Sequence, residues 1–262
     1  VAVAPPLLVA AQTITPARYG LASAADLVVE QNPRFRNGIE FEENQTGPAK
    51  LSRADCGDLQ DRYFDSGFQL TETPPIVVYE GFTCSAVGRT EEEILDRARR
   101  ALAGGEWSAV EKTVWGTADR KLMDQNDTQV LTTTAVPLVK GVGLLEEVLA
   151  SQYGGVGVIH APRLVAPFAA DKGQIESESG RKVTTLGTRW SFGNYPNTAV
   201  GGAAADVDTA WLVATSAVQA RRSEVTYRKV TDVRGGVHFG IAERTYVVSW
   251  ESVTAAALVT LT

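Results

Sequence analysis

The stretch TEEEILDRARRALAGGEWSAVEKTVW, residues 90–115, constrains the fold more than any other part of the chain. Thr90 is placed to cap a helix and Glu93 follows three residues later, the pattern of a capping box. Ile94, Leu95, Ala98, Ala101 and Leu102 recur at helical spacing on one face, and Trp107, Val110, Val114 and Trp115 continue the pattern. Glu93–Arg97 and Asp96–Arg100 stand four residues apart on the other face, each pair worth roughly 0.3 kcal/mol. Gly104-Gly105 weakens the middle by about 1 kcal/mol per glycine relative to alanine. The pattern resumes beyond them, so the spacing predicts one long helix over 90–115. The rest of the chain, mostly β, has to be arranged around it.

Just ahead of the helix, PPIVVYEGFTCSAV (residues 74–87) reads as a strand, β-branched and aromatic behind a proline pair. Residues 1–35 carry Pro5, Pro6, Pro16 and Pro33 and only weak periodicity, as an extended arm or loosely packed leader would. From Asn37 to Thr73 the chain is polar and turn-rich, with short strands GIEFEE and RYFDSGFQL beside the turns. This reads as a long hairpin excursion with little core of its own, and an excursion of that length is usually functional or partner-bound. After the long helix, residues 129–140 read as a strand-rich connector and GLLEEVLASQY (residues 143–153) as a second amphipathic helix closed by Gly154-Gly155. Val156 to His160 reads as a strand, and Pro162 to Ala170 as a helix that Pro167 limits to a turn or two. From Arg181 onward the pattern is mostly β, interrupted by NTAVGGAAADVD (residues 197–208), a surface loop by composition. The fold class is α+β.

A hydrophobic fraction of 44% in 262 residues supports a real core, in one large domain or two moderate ones. The net charge of −6 argues against a protein that grips nucleic acid through its phosphates. No window of about 18 apolar residues exists to span a membrane as a helix. The opening VAVAPPLLVAAQ lacks a basic start and is broken by Pro5-Pro6, so it makes a poor signal peptide. Cys56 and Cys84 are too few for a disulfide framework and fit a chain made in a reducing cytosol, read here as two buried thiols, with a single bridge as the alternative.

Recognisable chemistry is sparse. In YGGVGVIHAPRLVAPFAA (residues 153–170) the glycines precede the strand, whereas a dinucleotide loop needs them after it, opening a helix. Neither a Walker-type loop nor a Gly-x-Ser-x-Gly elbow is present. His160 stands where a general base of an α/β protein could sit, yet no nucleophile or orienting carboxylate lies at recognisable spacing, and a structural histidine is the better reading. The same holds for His238. Asp55, Asp58 and Asp61 could hold a divalent cation, but the glycine and terminal glutamate of an EF-type loop are missing, leaving a solvated acidic loop. Arg97, Arg99, Arg100, Arg221 and Arg222 are interleaved with acids, as solvated or interface faces are. Trp107 and Trp115 read as core. No residue is assigned a catalytic, cofactor-binding or metal-ligating role, and no cofactor is implied. Extended arms and hairpins cost roughly 1–2 kcal/mol of ordering entropy per backbone residue, which neighbouring copies of a self-assembling chain would offset.

The order of these elements resembles the major capsid protein of tailed bacteriophages, the Hong Kong 97 type, and phages of actinobacteria in particular. The stretches that carry the resemblance are ITPARYGLAS, PPIVVYEGFTCSAVG leading into EEEILDRARRALAGGEWSAVE, GLLEEVLASQYGGVGVIHAPRLVAPFA and AERTYVVSWESVTAAALVTL. The resemblance implies an amino-terminal arm (1–36) and an extended loop, the E-loop (37–75). It implies a peripheral domain (76–129 and 226–262) with a spine helix at about 90–115, and an axial domain (130–225). It further implies hexamers and pentamers that close into an icosahedral virion shell around double-stranded DNA. Assembly would take place in the bacterial cytoplasm, with scaffold, portal and decoration proteins as further partners. In some members a lysine of the extended loop bonds to an asparagine near a neighbour's carboxy terminus. Lys50 lies where such a lysine could be, but residues 201–262 contain no asparagine, so a non-covalent shell is expected. An encapsulin-like compartment shell is the closest rival, and a soluble enzyme with a site near His160 the more distant one.

Overall fold

The computed structural model describes residues 7, 12–44, 49–50, 67, 69–85, 90–232, 234 and 236–262. The chain begins with a one-turn helix α1 (Leu21–Ala24), strand β1 (Asp26–Val29) and a 3-10 turn at Pro33–Asn37. The hairpin strands β2 (Ile39–Glu42) and β3 (Leu70–Thr73), strand β4 (Ile76–Ser85) and helix α2 (Glu91–Gly116) follow. Short strands β5 (Gln129–Val130) and β6 (Val136–Pro137) lead into helix α3 (Leu138–Val148), then β7 (Val158–Pro162) and helix α4 (Val165–Asp171). The remainder is β8 (Glu176–Glu178), β9 (Arg181–Val183), β10 (Arg189–Gly193), β11 (Thr209–Thr215), β12 (Gln219–Arg222), β13 (Thr226–Asp232), β14 (Val237–Ser249) and β15 (Thr254–Thr260).

Helix α2 is a single rod of 26 residues, about 39 Å at 1.5 Å per residue. Its capping box is formed: Glu93 N–H donates to Thr90 Oγ1 at 3.3 Å and Thr90 N–H donates to Glu93 Oε2 at 2.9 Å. The buried face runs Ile94, Ala98, Leu102, Val110 and Val114, four residues apart except where Glu106 takes the place between Leu102 and Val110. Ala101 lies outside this stripe and is exposed. Of the pairs expected on the outer face, Asp96–Arg100 closes at 3.0 Å.

This helix lies on a five-stranded sheet whose centre is β14. Strand β4 pairs with β14 in an antiparallel register from Ile76↔Tyr246 to Ser85↔Val237. On its other side β14 pairs with β13 and then β12, and β1 joins β12 in parallel. The run QARRSEVTYRKV is therefore two strands, broken at Ser223–Val225. Residues 20–37 belong to the folded body, a correction to the loosely packed leader expected there. Leu21, Ala24, Ala25 and Phe35 are buried, because a parallel ladder to β12 and a place in the core become available to them only in the folded chain.

The second sheet has eight strands in the order β5, β15, β11, β7, β10, β9, β8, with β6 also pairing along β15. Helices α3 and α4 cover one face through Leu138, Val142, Leu145, Val165 and Ala169. The other face receives the carboxy-terminal end of α2, with Val158, Val213 and Ala256 packing in the cluster that holds Trp115. Covered on both sides, β7 is buried at all five positions. The closing segment 226–262 thus divides between the sheets, with β13 and β14 in the first and β15 in the second.

Three boundaries differ from the sequence reading, each for a packing reason. Helix α3 starts at Leu138, five residues before the expected Gly143, and Gly141 lies in it because a Cβ there would sit 2.2 Å from Val259 Cγ1. It continues as a π turn, Leu149–Tyr153, closed by Gly154 in the left-handed region at φ 70°. Strand β7 ends on Pro162 instead of His160, and α4 begins at Val165. Pro167 then falls in the first turn of α4, where its missing N–H breaks no helical hydrogen bond.

Candidate functional site

The strand that ends the glycine-rich stretch places His160 between β10 and β11, opposite Ser191 and Val213. Its ring is 1% exposed, with Nδ1 3.0 Å from Tyr195 Oη and Nε2 3.1 Å from Thr215 Oγ1. Thr215 Oγ1 gives its own proton to the Ser216 carbonyl at 3.0 Å, so it accepts from Nε2–H. Nδ1 then accepts from Tyr195, whose oxygen lies 2.7 Å from Ser191 Oγ. Donation runs from Ser191 to Tyr195 to His160 to Thr215 and ends on the Ser216 carbonyl, every polar atom satisfied around a neutral imidazole. Burial alone pushes the His160 pKa down to about 3. Ser191 and Thr215 are themselves fully buried, and among the described residues no carboxylate touches the ring, so the arrangement ties strands together.

Helix α2 carries two buried carboxylates beside this seam. Glu106 takes both oxygens to Arg244 Nη1, at 2.9 and 2.8 Å, tying the helix to β14. Among the described residues Glu111 has no such cation in contact. It accepts from the backbone N–H of Leu21 at 2.9 Å and of Asn194 at 2.7 Å, and burial pushes its carboxyl up against these hydrogen bonds and the more distant Arg163. Sequence spacing held a signal for both, since a glutamate on an apolar helical stripe has to find a buried partner.

What stands clear of the core is the hairpin and the arm. Among the described strands β2 and β3 pair only with each other, and their register sets Glu40 directly opposite Glu72. At the hairpin's root, buried Glu43 accepts from Thr71 Oγ1 and from Ser252 N–H, while Asn44 Nδ2 donates to Glu251. Below, Arg120 Nη2 donates to the carbonyls of Trp250 and Glu251 at 2.6 and 3.1 Å. Residues 12–18 of the arm are exposed throughout.

Among the described residues, those singled out from sequence do not converge. His238 is half-buried on β14, 2.9 Å from Thr231 Oγ1 and opposite Cys84. Cys56, Asp55, Asp58 and Asp61 lie outside the described residues, and Lys50 is exposed. Arg97 stacks over Phe82 and Arg99 over Tyr227, while Arg221 pairs with Glu30 at 2.8 Å. Trp107 packs edge-on against Tyr246, and Trp115 donates to Thr198.

No protein-family model and no curated protein matches the sequence. Solved structures do match along nearly the whole chain. The capsid of a native GTA particle, 11% identical, aligns over 98% of this chain and 95% of its own with a TM-score of 0.59. The holo-SrpI encapsulin complex from Synechococcus elongatus, 10% identical, aligns over 99% and 94% with a TM-score of 0.61. Microbacterium phage Oxtober96, 13% identical, aligns over 98% and 96% with a TM-score of 0.54. The chain shares its architecture with these structures from end to end. More particularly, the chain has the Hong Kong 97-type fold, shared by phage capsids and encapsulins.

Proposed function

We propose that the chain is the major capsid protein of a tailed bacteriophage. It assembles as hexamers and pentamers into an icosahedral shell around a double-stranded DNA genome. The observation that carries this reading is the end-to-end match to capsid subunits, with almost no residue left over on either side. The residues ahead of Gly20 serve as the arm and 37–75 as the E-loop, while residues 20–36, expected as part of the arm, pack into the folded body. Helix α2 with the five-stranded sheet forms the peripheral domain, and the eight-stranded sheet with α3 and α4, β15 included, the axial domain. Assembly takes place in the host cytoplasm, with scaffold, portal and decoration proteins as further partners. The sealed surroundings of His160 weigh against an enzyme.

A second reading, a compartment shell that holds a protein cargo, is favoured by the TM-score of 0.61 to the encapsulin. Nuclease treatment of purified particles separates the two. Protected genome-length DNA supports the capsid; particles holding only protein support the compartment. A chain that never exceeds a small oligomer contradicts both.

A further inference from the structure

The amino-terminal arm does not simply trail from the body. Arg163 Nη1 donates to the Arg18 carbonyl at 2.9 Å, and Phe192 N–H donates to the Tyr19 carbonyl at 2.7 Å. Tyr19 takes the left-handed conformation, φ 66°, which a residue with a Cβ adopts only when its surroundings impose it. Immediately after it, Leu21 N–H donates to Glu111 Oε1, while Asn194 N–H holds Oε2. The carboxylate sits in a space made by two glycines. A Cβ on Gly20 would fall 2.2 Å from Glu111 Oε1, and one on Gly193 would fall 2.8 Å from Glu111 Cδ. Gly20 has φ −87°, a value any residue can adopt, so contact with Glu111 and not backbone conformation is what excludes a side chain there. Upstream, Ile14 rests against the helix at Gly104, its Cδ1 3.4 Å from where a Cβ of Gly104 would be. Residues 104 and 111 are two turns apart on α2, so the arm follows the helix between them.

We propose that Glu111 is the positioning residue of the arm. It pins residues 20–21 to the long helix and so fixes the direction in which residues 12–18 leave the subunit and the place where they meet a second copy. Both carboxyl oxygens are occupied by backbone donors from two separate segments, so one side chain ties Leu21 and Asn194 to the long helix at once. The consequence for assembly rests on the shell reading, whereas the anchor itself does not.

The test reads the arm separately from the fold in the full chain. Glu111→Ala is expected to speed tryptic cleavage after Arg18 and amide exchange of Leu21 and Asn194 by about tenfold or more, the factor equal to 1.4 kcal/mol. Exchange in β7 and β11 should stay unchanged. Glu111→Gln, which keeps the volume but presents one carbonyl to two donors, is expected to give a smaller release in the same residues. Gly20→Ala should release the arm in the native background and add little in the Glu111→Ala background. Native cleavage rates in Glu111→Ala would overturn the proposal, as would Gly20→Ala and Glu111→Ala effects that multiply independently. Loss of exchange protection throughout Glu111→Gln would also overturn it, by making the residue one of general stability. An arm released as expected in a chain that forms no particles would leave the anchor standing and refute the shell reading instead.

Discussion

Acidification from neutral pH should destabilise this protein through His160. The imidazole titrates near 6.5 in the unfolded chain and is held neutral down to about 3 in the fold. With the folded value depressed, the stabilising contribution is fully present above pH 6.5 and is lost as pH falls toward 3. The slope is about 1.4 kcal/mol per pH unit, so lowering pH from 6.5 to 5 costs about 2 kcal/mol. Glu111 works in the opposite sense, since its raised pKa favours the fold as pH falls. The comparison that isolates the histidine is with His160→Gln, whose amide can accept from Tyr195 and donate to Thr215 without titrating. Urea denaturation of unassembled chain at pH 7 and pH 5 measures both. The native protein should lose about 2 kcal/mol more than the variant between those values. Equal losses would mean that His160 takes up a proton in the fold, and the neutral donor chain would be wrong.

Removing one partner of the buried Glu106–Arg244 pair leaves a guanidinium that is 13% exposed without its counterion. Glu106→Ala should therefore cost about 3–5 kcal/mol in chemical denaturation. Thr90→Ala removes one half of the capping box and should cost about 1 kcal/mol, read as a shift in the urea midpoint at constant slope. Particles boiled in detergent should run as a single monomeric band, because residues 201–262 offer Lys50 no asparagine. A ladder of covalent oligomers on the gel would contradict that.

Local signals in the sequence located the local structure. The capping box and the apolar stripe of α2 act within a few residues of one another, and both are formed as the spacing predicts. Strand β1 was not legible, because four largely exposed residues become a strand only through β12, nearly two hundred positions on. Helix α3 was expected to start only at Gly143, yet Gly141 answers to Val259 across the core and lies within the intact helix. The His160 seam is a stronger case. Its partners Tyr195 and Thr215 are 35 and 55 residues away, so no spacing rule could assemble it. Glu106 and Glu111 were visible as charges on an apolar face, but their partners at 244, 21 and 194 follow only from topology.

Electron microscopy of the purified protein should show closed icosahedral particles, with this subunit clustered in fives at the vertices and in sixes between them. Discrete small oligomers, rings or open tubes from the same preparation would contradict the shell reading.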